Sequence, residues 1–185
     1  QTKQVFRSVQ KAVDRIIGGV WDKGDEALFD YTEKLDGVRL DSLEVDRREV
    51  VAAHSIISKE VMSALEFAAG RIRDFHAACE HKTGLIPIDS HLGQQILPLQ
   101  RVGLYVPGGS AAYPSTVLMM AISARVAGVE DIIMVSPPGK DGRIPAPTLV
   151  AADIARVNRI FKLGGAQAIA ALAFGTESIP RVDKI

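Results

Sequence analysis

The stretch Arg101-Val-Gly-Leu-Tyr-Val-Pro-Gly-Gly-Ser-Ala-Ala-Tyr-Pro-Ser-Thr-Val-Leu-Met119 decides the fold. It passes from an apolar, strand-like run through Pro107-Gly108-Gly109 into a helical segment opened by Pro114. A second stretch, Lys162-Leu-Gly-Gly-Ala-Gln-Ala-Ile-Ala-Ala-Leu-Ala-Phe-Gly-Thr-Glu177, repeats the pattern with a Gly164-Gly165 turn and an Ala-rich helix. Units of this kind build a parallel sheet. They bring the unpaired N–H groups and partial positive charge of a helix's first turn to the carboxyl end of a strand.

Outward from these stretches, strand-like runs at 101–106, 131–136, 159–163 and 182–185 alternate with helical runs at 114–127, 147–155 and 165–174. Such alternation predicts a right-handed, doubly wound α/β sheet. Toward the amino end, apolar residues recur at helical spacing in Val9, Val13, Ile16, Ile17 and Val20, and again in Val61, Leu65, Ala68, Ile72 and Phe75. Gly18-Gly19 and Gly24 are expected to interrupt this pattern. Asp25 is expected to cap a helix over Glu26–Leu35 that Asp36-Gly37 closes, and Asp46 and Ser58 to cap two more, the second running to about His81. Residues 83–99 switch to short apolar pieces separated by Gly, Pro and Asp, which read as a hairpin or connecting strands. The expected organisation is a helical layer over residues 1–100 followed by a parallel-sheet unit over 101–185.

Composition narrows the function. Among 185 residues, 22 basic and 22 acidic side chains balance without a Lys/Arg-rich run, so the electrostatic footprint of a nucleic-acid binder is missing. Hydrophobic residues make up 47% and mean hydropathy is +0.13, which suits an ordinary folded core. No apolar run reaches the ~18–20 residues of a membrane span, and the amino end has no signal-peptide core. The single cysteine, Cys79, excludes an intramolecular disulfide framework and suits a reducing cytoplasm. Gln1 at the start and Ile185 within an apolar segment lead to the expectation that the chain is a piece of a longer one.

Chemistry concentrates at the two glycine turns. Pro107 fixes φ while Gly108 and Gly109 let backbone approach a ligand, at the strand end where open α/β sheets bind small molecules. Tyr105 closes the preceding strand, where its ring can stack on a base, and Gln167 stands in the first turn of the second helix, able to donate and accept. The same residues also suit plain tight turns and a half-buried sheet tyrosine. Neither turn is a Gly-x-Gly-x-x-Gly fingerprint. The second strand ends in Val135-Ser136-Pro137-Pro138-Gly139 rather than the acidic residue that takes a ribose, so a standard dinucleotide site is not supported. P-loop and Gly-x-Ser-x-Gly motifs are absent. His76, Cys79, Glu80 and His81 cluster at a helix end but lack a second ligand pair of matching spacing. His54 and His91 stand alone in the sequence, and Glu177 and Asp183 do not read as an acid/base pair. No catalytic or metal-ligating residue is assigned.

Beyond the turns, Gly24-Asp-Glu-Ala-Leu28, Asp36-Gly-Val38, Ile72-x-x-Phe-His76, Ala124-Arg-Val-Ala-Gly128, Pro137-Pro138 and Pro180-x-Val-Asp-Lys-Ile185 complete, in order, a pattern that resembles the histidinol dehydrogenases. The resemblance implies an incomplete Rossmann-like sheet beginning near Arg101. It implies NAD contacts at Tyr105 and Gln167, with Pro107, Gly108 and Gly109 shaping the cleft. It also implies oxidation of histidinol to histidine through the aldehyde, a homodimer, and zinc held by ligands expected beyond Ile185 along with the groups that move protons. Related dehydrogenases of other small diols, of the sulfopropanediol type, and a truncated nucleotide-binding paralogue that catalyses nothing fit the same residues. Two positions depart from the pattern: Ser123 where Pro is frequent, and Arg156 where Gly is usual before the third strand, a change expected to alter that turn.

Overall fold

The computed structural model describes residues 2–79, 83–108 and 111–185, with backbone only for residues 2–6. A parallel sheet of β3 (Arg101–Tyr105), β4 (Asp131–Ser136) and β5 (Arg159–Lys162) runs in the order β3-β4-β5. It is extended on both sides: Lys184 bridges Val102 in parallel, and Glu44 bridges Phe161 in antiparallel fashion. Helices α5 (Pro114–Val126) and α6 (Ala146–Ile154) follow β3 and β4, and α7 (Gly165–Phe174) follows β5.

Side-chain alternation along the strands sorts two cores. Val102, Leu104, Ile132, Met134 and Ile160 face α5, α6, α3 (Arg47–Ile56) and α4 (Lys59–Ala78). Ile133, Val135 and Phe161 face α7, α1 (Thr2–Lys23) and α2 (Asp25–Tyr31). Winding therefore reverses after β5. The chain crosses to the other face through α7 and returns beside β3 at Lys184, making the outer edge of β3 the reversal point of the sheet. A hairpin, β1 (Gly84–Pro87) and β2 (Gly93–Ile96), pairs antiparallel with Gly84 opposite Ile96, as the short apolar pieces suggest.

Three strands and the helices of the sheet unit fall where the strand-like and helical runs place them, while the run at 182–185 makes a single bridge at Lys184; three local expectations are corrected. Gly18-Gly19 does not interrupt α1. The missing side chain at Gly19 instead admits the Tyr31 ring, whose Cε2 would lie 3.2 Å from a Cβ there, and the Tyr31 hydroxyl donates to the Arg15 carbonyl. Asp25 is not the cap of α2 but its first residue. Its N–H donates to Glu177 Oε2 at 2.8 Å, and the Thr176 hydroxyl donates to Asp25 Oδ1, so a cap arrives from the far end of the chain. The following helix ends at Tyr31 and continues as a π-helical turn, Thr32–Asp36, closed by Gly37 at φ 71°. Asp46 and Ser58 cap α3 and α4 as expected; Asp46 forms a reciprocal capping box with Glu49. α4 ends at Ala78, and His81 lies outside the described residues, as does Glu80.

Nor is His54 isolated in space. Its Nε2 lies 2.9 Å from Asp153 Oδ2, and Arg47 binds the other oxygen, pinning α3 to α6. Burial works to raise the Asp153 carboxyl, but the hydrogen bonds from Arg47 and His54 outweigh it and hold the group below its ordinary range. The side-chain hydrogen bond from Arg48, reinforced by the Arg48 backbone N–H, holds Asp46 at about 2. Both groups are depressed in the folded state, so their contribution is complete above the ordinary value of 3.8 and is lost as pH falls toward those lowered values. The urea midpoint is accordingly expected to drop between pH of about 4 and about 2, and Asp153→Asn is expected to flatten that drop.

Arg156 is the one non-glycine residue at positive φ among those described, at 57°. The Gly-type turn before β5 is thus retained by an Arg, whose carbonyl accepts from the Arg125 guanidinium. A left-handed non-glycine residue costs roughly 1–2 kcal/mol, against roughly 0.5–1 kcal/mol of extra chain entropy for glycine. Arg156→Gly is expected to stabilise the fold by about 0.5–1 kcal/mol in denaturant titration, with an unchanged m value.

Candidate functional site

Tyr105, Gly108, the Gly164-Gly165 turn and Gln167 come together at the carboxyl edge of the sheet. Tyr105 ends β3 half-buried, and its hydroxyl accepts the N–H of Gly165 at 3.1 Å. Gly164 has no side chain to cap α7, so a tyrosine from the neighbouring sheet edge takes that office for the helix's first N–H. With an N–H donating to its oxygen, Tyr105 keeps its own O–H proton available to an acceptor. The two glycine turns, some 55 residues apart in the chain, are thereby one structure.

Gln167, 1% exposed, folds back beneath Gly165, and its Oε1 has no hydrogen-bond partner. Gly165 sits at φ 63°, and a Cβ there would lie 2.6 Å from that oxygen. Turning the amide outward would break no hydrogen bond at Oε1, so the group is free to meet a donor. Gly108 is as tightly placed, because its missing Cβ would fall 2.9 Å from Ser136 Oγ and 3.0 Å from the Pro137 carbonyl. Pro107 stands exposed before it. Gly109 lies outside the described residues.

The edge therefore offers an aromatic face, a phenolic O–H, an unpartnered amide oxygen and an α7 N-terminus, with little side-chain bulk between them. Such a set fits an elongated ligand carrying a planar ring and anionic groups. Sequence reading noted Ser136 and Pro137 only as standing where a ribose-binding acid would, and gave neither a role at this edge. Glu177 and Asp183 take structural places: the first caps α2, and the second accepts the Arg101 N–H at 2.9 Å. Among the described residues no group of three or more His, Cys, Asp or Glu could hold a metal ion.

A parallel sheet whose winding reverses beside a strand ending in a glycine turn belongs to the doubly wound α/β class, which takes ligands at that point. The family model for histidinol dehydrogenase matches residues 1–185, and the chain belongs to that family. It is 56% identical over 176 residues to the histidinol dehydrogenase of Dehalococcoides mccartyi strain CBDB1, covering 95% of this chain and 40% of that protein. It is 51% identical over 178 residues to that of Geobacillus kaustophilus, covering 95% and 42%. The crystal structure of histidinol dehydrogenase from Elizabethkingia anophelis superposes with a TM-score of 0.89 at 36% identity, covering 96% of this chain and 41% of that one. The chain thus spans about two fifths of the length of these relatives. None of these matches carries the name of a diol dehydrogenase, and the two alternative readings are not favoured.

Gly165→Ala is expected to cost about 1–2 kcal/mol through its positive φ, and more if the Gln167 amide cannot move aside. Thermal unfolding of the Ala variant against the parent measures this.

Proposed function

We propose that the complete gene product oxidises histidinol with NAD, and that the carboxyl edge of this sheet holds the dinucleotide. The observation that carries the reading is the Tyr105–Gly165 hydrogen bond, which joins both glycine turns at the reversal point with the free Gln167 oxygen beside them. A buried amide oxygen without a partner, beside two turns free of side-chain bulk, supports the reading, because a donor on a ligand would satisfy it.

When bound, NAD supplies a hydride acceptor for the alcohol and then for the hydrated aldehyde. In this reading the Tyr105 ring gives a stacking face whose orientation is fixed by the Gly165 N–H, and its O–H donates to a ligand oxygen. Gln167 turns its Oε1 to a ligand hydroxyl or amide. Pro107 and Gly108 bring backbone within contact distance, and the N-terminus of α7 favours a phosphate. Residues 101–185 form the dinucleotide-binding unit, and residues 1–100 supply the helices that pack on both its faces.

The zinc of the family finds no ligand set among the described residues, and its ligands and the proton-transferring groups are expected beyond Ile185. Exposed Leu85, Ile88, Leu92 and Leu97 on the hairpin and Trp21 on α1 support a partner surface, which we read as that of a homodimer. The free Cys79 suits a cytoplasmic protein, and no described helix is long and apolar enough to cross a membrane.

The complete gene product, supplied with histidinol and NAD, is expected to form NADH, followed by absorbance. Tyr105→Ala and Gln167→Ala are each expected to weaken NAD by about tenfold, the worth of one good contact. Absence of histidinol-dependent NADH, or unchanged NAD affinity in both variants, would overturn the reading.

A further inference from the structure

We propose that Ser136–Pro137, at the end of β4, is a positioning element that sets the spacing of the two glycine turns and hence the width of the dinucleotide cleft; the proposal rests on the reading above. Two close approaches carry it. A Cβ on Gly108 would meet Ser136 Oγ at 2.9 Å, the Pro137 carbonyl at 3.0 Å and Pro137 Cγ at 3.3 Å. A Cβ on Gly164 would meet Pro137 Cβ at 2.6 Å and Cγ at 3.2 Å. The Pro137 residue therefore lies against both turns, the first meeting its carbonyl and Cγ and the second its Cβ and Cγ.

The ring suits this task because its φ is fixed and it has no rotamer freedom to yield. β4 suits it as a mount, because Ile132, Ile133, Met134, Val135 and Ser136 are all 0% exposed. The contacts close a circuit. Gly108 rests on Ser136 and Pro137, Pro137 rests on Gly164, and Gly165 donates to Tyr105, which begins the strand-to-turn passage back to Gly108. In a standard dinucleotide fold the second strand ends in an acidic side chain that reads a ribose. Here that place holds a serine wholly buried under Gly108, with its hydroxyl unpartnered, so it spaces a turn and reads no sugar. Its small size is what the contact requires.

The test is a set of steady-state and unfolding measurements on the complete gene product with histidinol and varied NAD. Pro137→Ala and Ser136→Val are each expected to raise the KM for NAD three- to tenfold while kcat stays within twofold. Gly164→Ala is expected to raise it at least tenfold, because the new Cβ pushes on the ring. Adding Pro137→Gly to Gly164→Ala removes the obstacle and is expected to recover at least threefold of that loss. The recovery reports the cleft where it appears in KM at an unfolding midpoint that the substitutions leave in place. Unfolding midpoints separate cleft effects from folding effects, and Pro137→Ala and Ser136→Val keep the test alive if the Gly164 variants fail to fold. Unchanged KM in both of those variants, or strictly additive effects in the Gly164/Pro137 pair, overturns the positioning role. If Tyr105→Ala and Gln167→Ala still weaken NAD in that case, the cofactor reading stands and only this inference falls. If those two are also silent, the reading beneath it falls.

Discussion

Burial of β4 on both faces is the constraint on which the rest of this structure depends. Ile132 and Met134 project to one side, Ile133 and Val135 to the other, and all are 0% exposed. Each such side chain contributes about 1.5–3 kcal/mol when removed from water, but only if helices cover both faces. A strand of this kind cannot be an edge and cannot face solvent, so the chain must supply layers on each side. It does so by running α5 and α6 over one face and then crossing with α7 to the other. The reversal that results puts the end of β3, with Tyr105, at the place where loops diverge and a ligand can enter.

Charged pairs then fix the helical layer to this frame. Lys162, 9% exposed, reaches Glu49 at 2.8 Å, and Glu49 also completes the capping box of α3, so the end of β5 and the start of α3 are held together. Arg159 makes a bidentate pair with Glu44 and also donates to the Ser178 carbonyl. Arg101 bonds Asp131 and the Arg181 carbonyl across the opposite edge. Partly exposed pairs of this sort add little stability individually. Their effect is to place segments remote in sequence, residues 43–49 and 178–183, at fixed positions along the sheet.

Much of the parallel sheet was legible in the amino-acid sequence because its signals are local. β4 and α7 have the bounds that their apolar runs and flanking turns indicate, and Asp46 and Ser58 act as caps through hydrogen bonds two or three residues away. The run at 182–185 was read as strand-like, and it meets β3 through the Lys184 bridge, the Gly103–Lys184 and Asp183–Arg101 backbone hydrogen bonds and the Asp183 carboxylate. What local reading misplaced has partners far away. Gly19 is small for Tyr31, Gly24 and Asp25 are arranged around Glu177, and His54 finds Asp153. In each instance the residue type alone suggests a break, a cap or an isolated group, since its partner lies 12 to 153 residues away.

The candidate site divides along the same line. Sequence alone determined that Tyr105 ends a strand, that a Gly-Gly turn opens the last helix, that Gln167 lies in its first turn and that no acidic residue closes the second strand. Those are properties of short segments, governed by backbone freedom and periodicity. Only the tertiary structure decided that the Tyr105 hydroxyl caps α7 and that Gln167 folds under Gly165 with a free oxygen. It alone decided that Ser136 and Pro137 lie between the turns. The reason is that parallel strands pair only after a crossover connection, so which turn ends meet, and at what distance, is set by packing across the whole sheet.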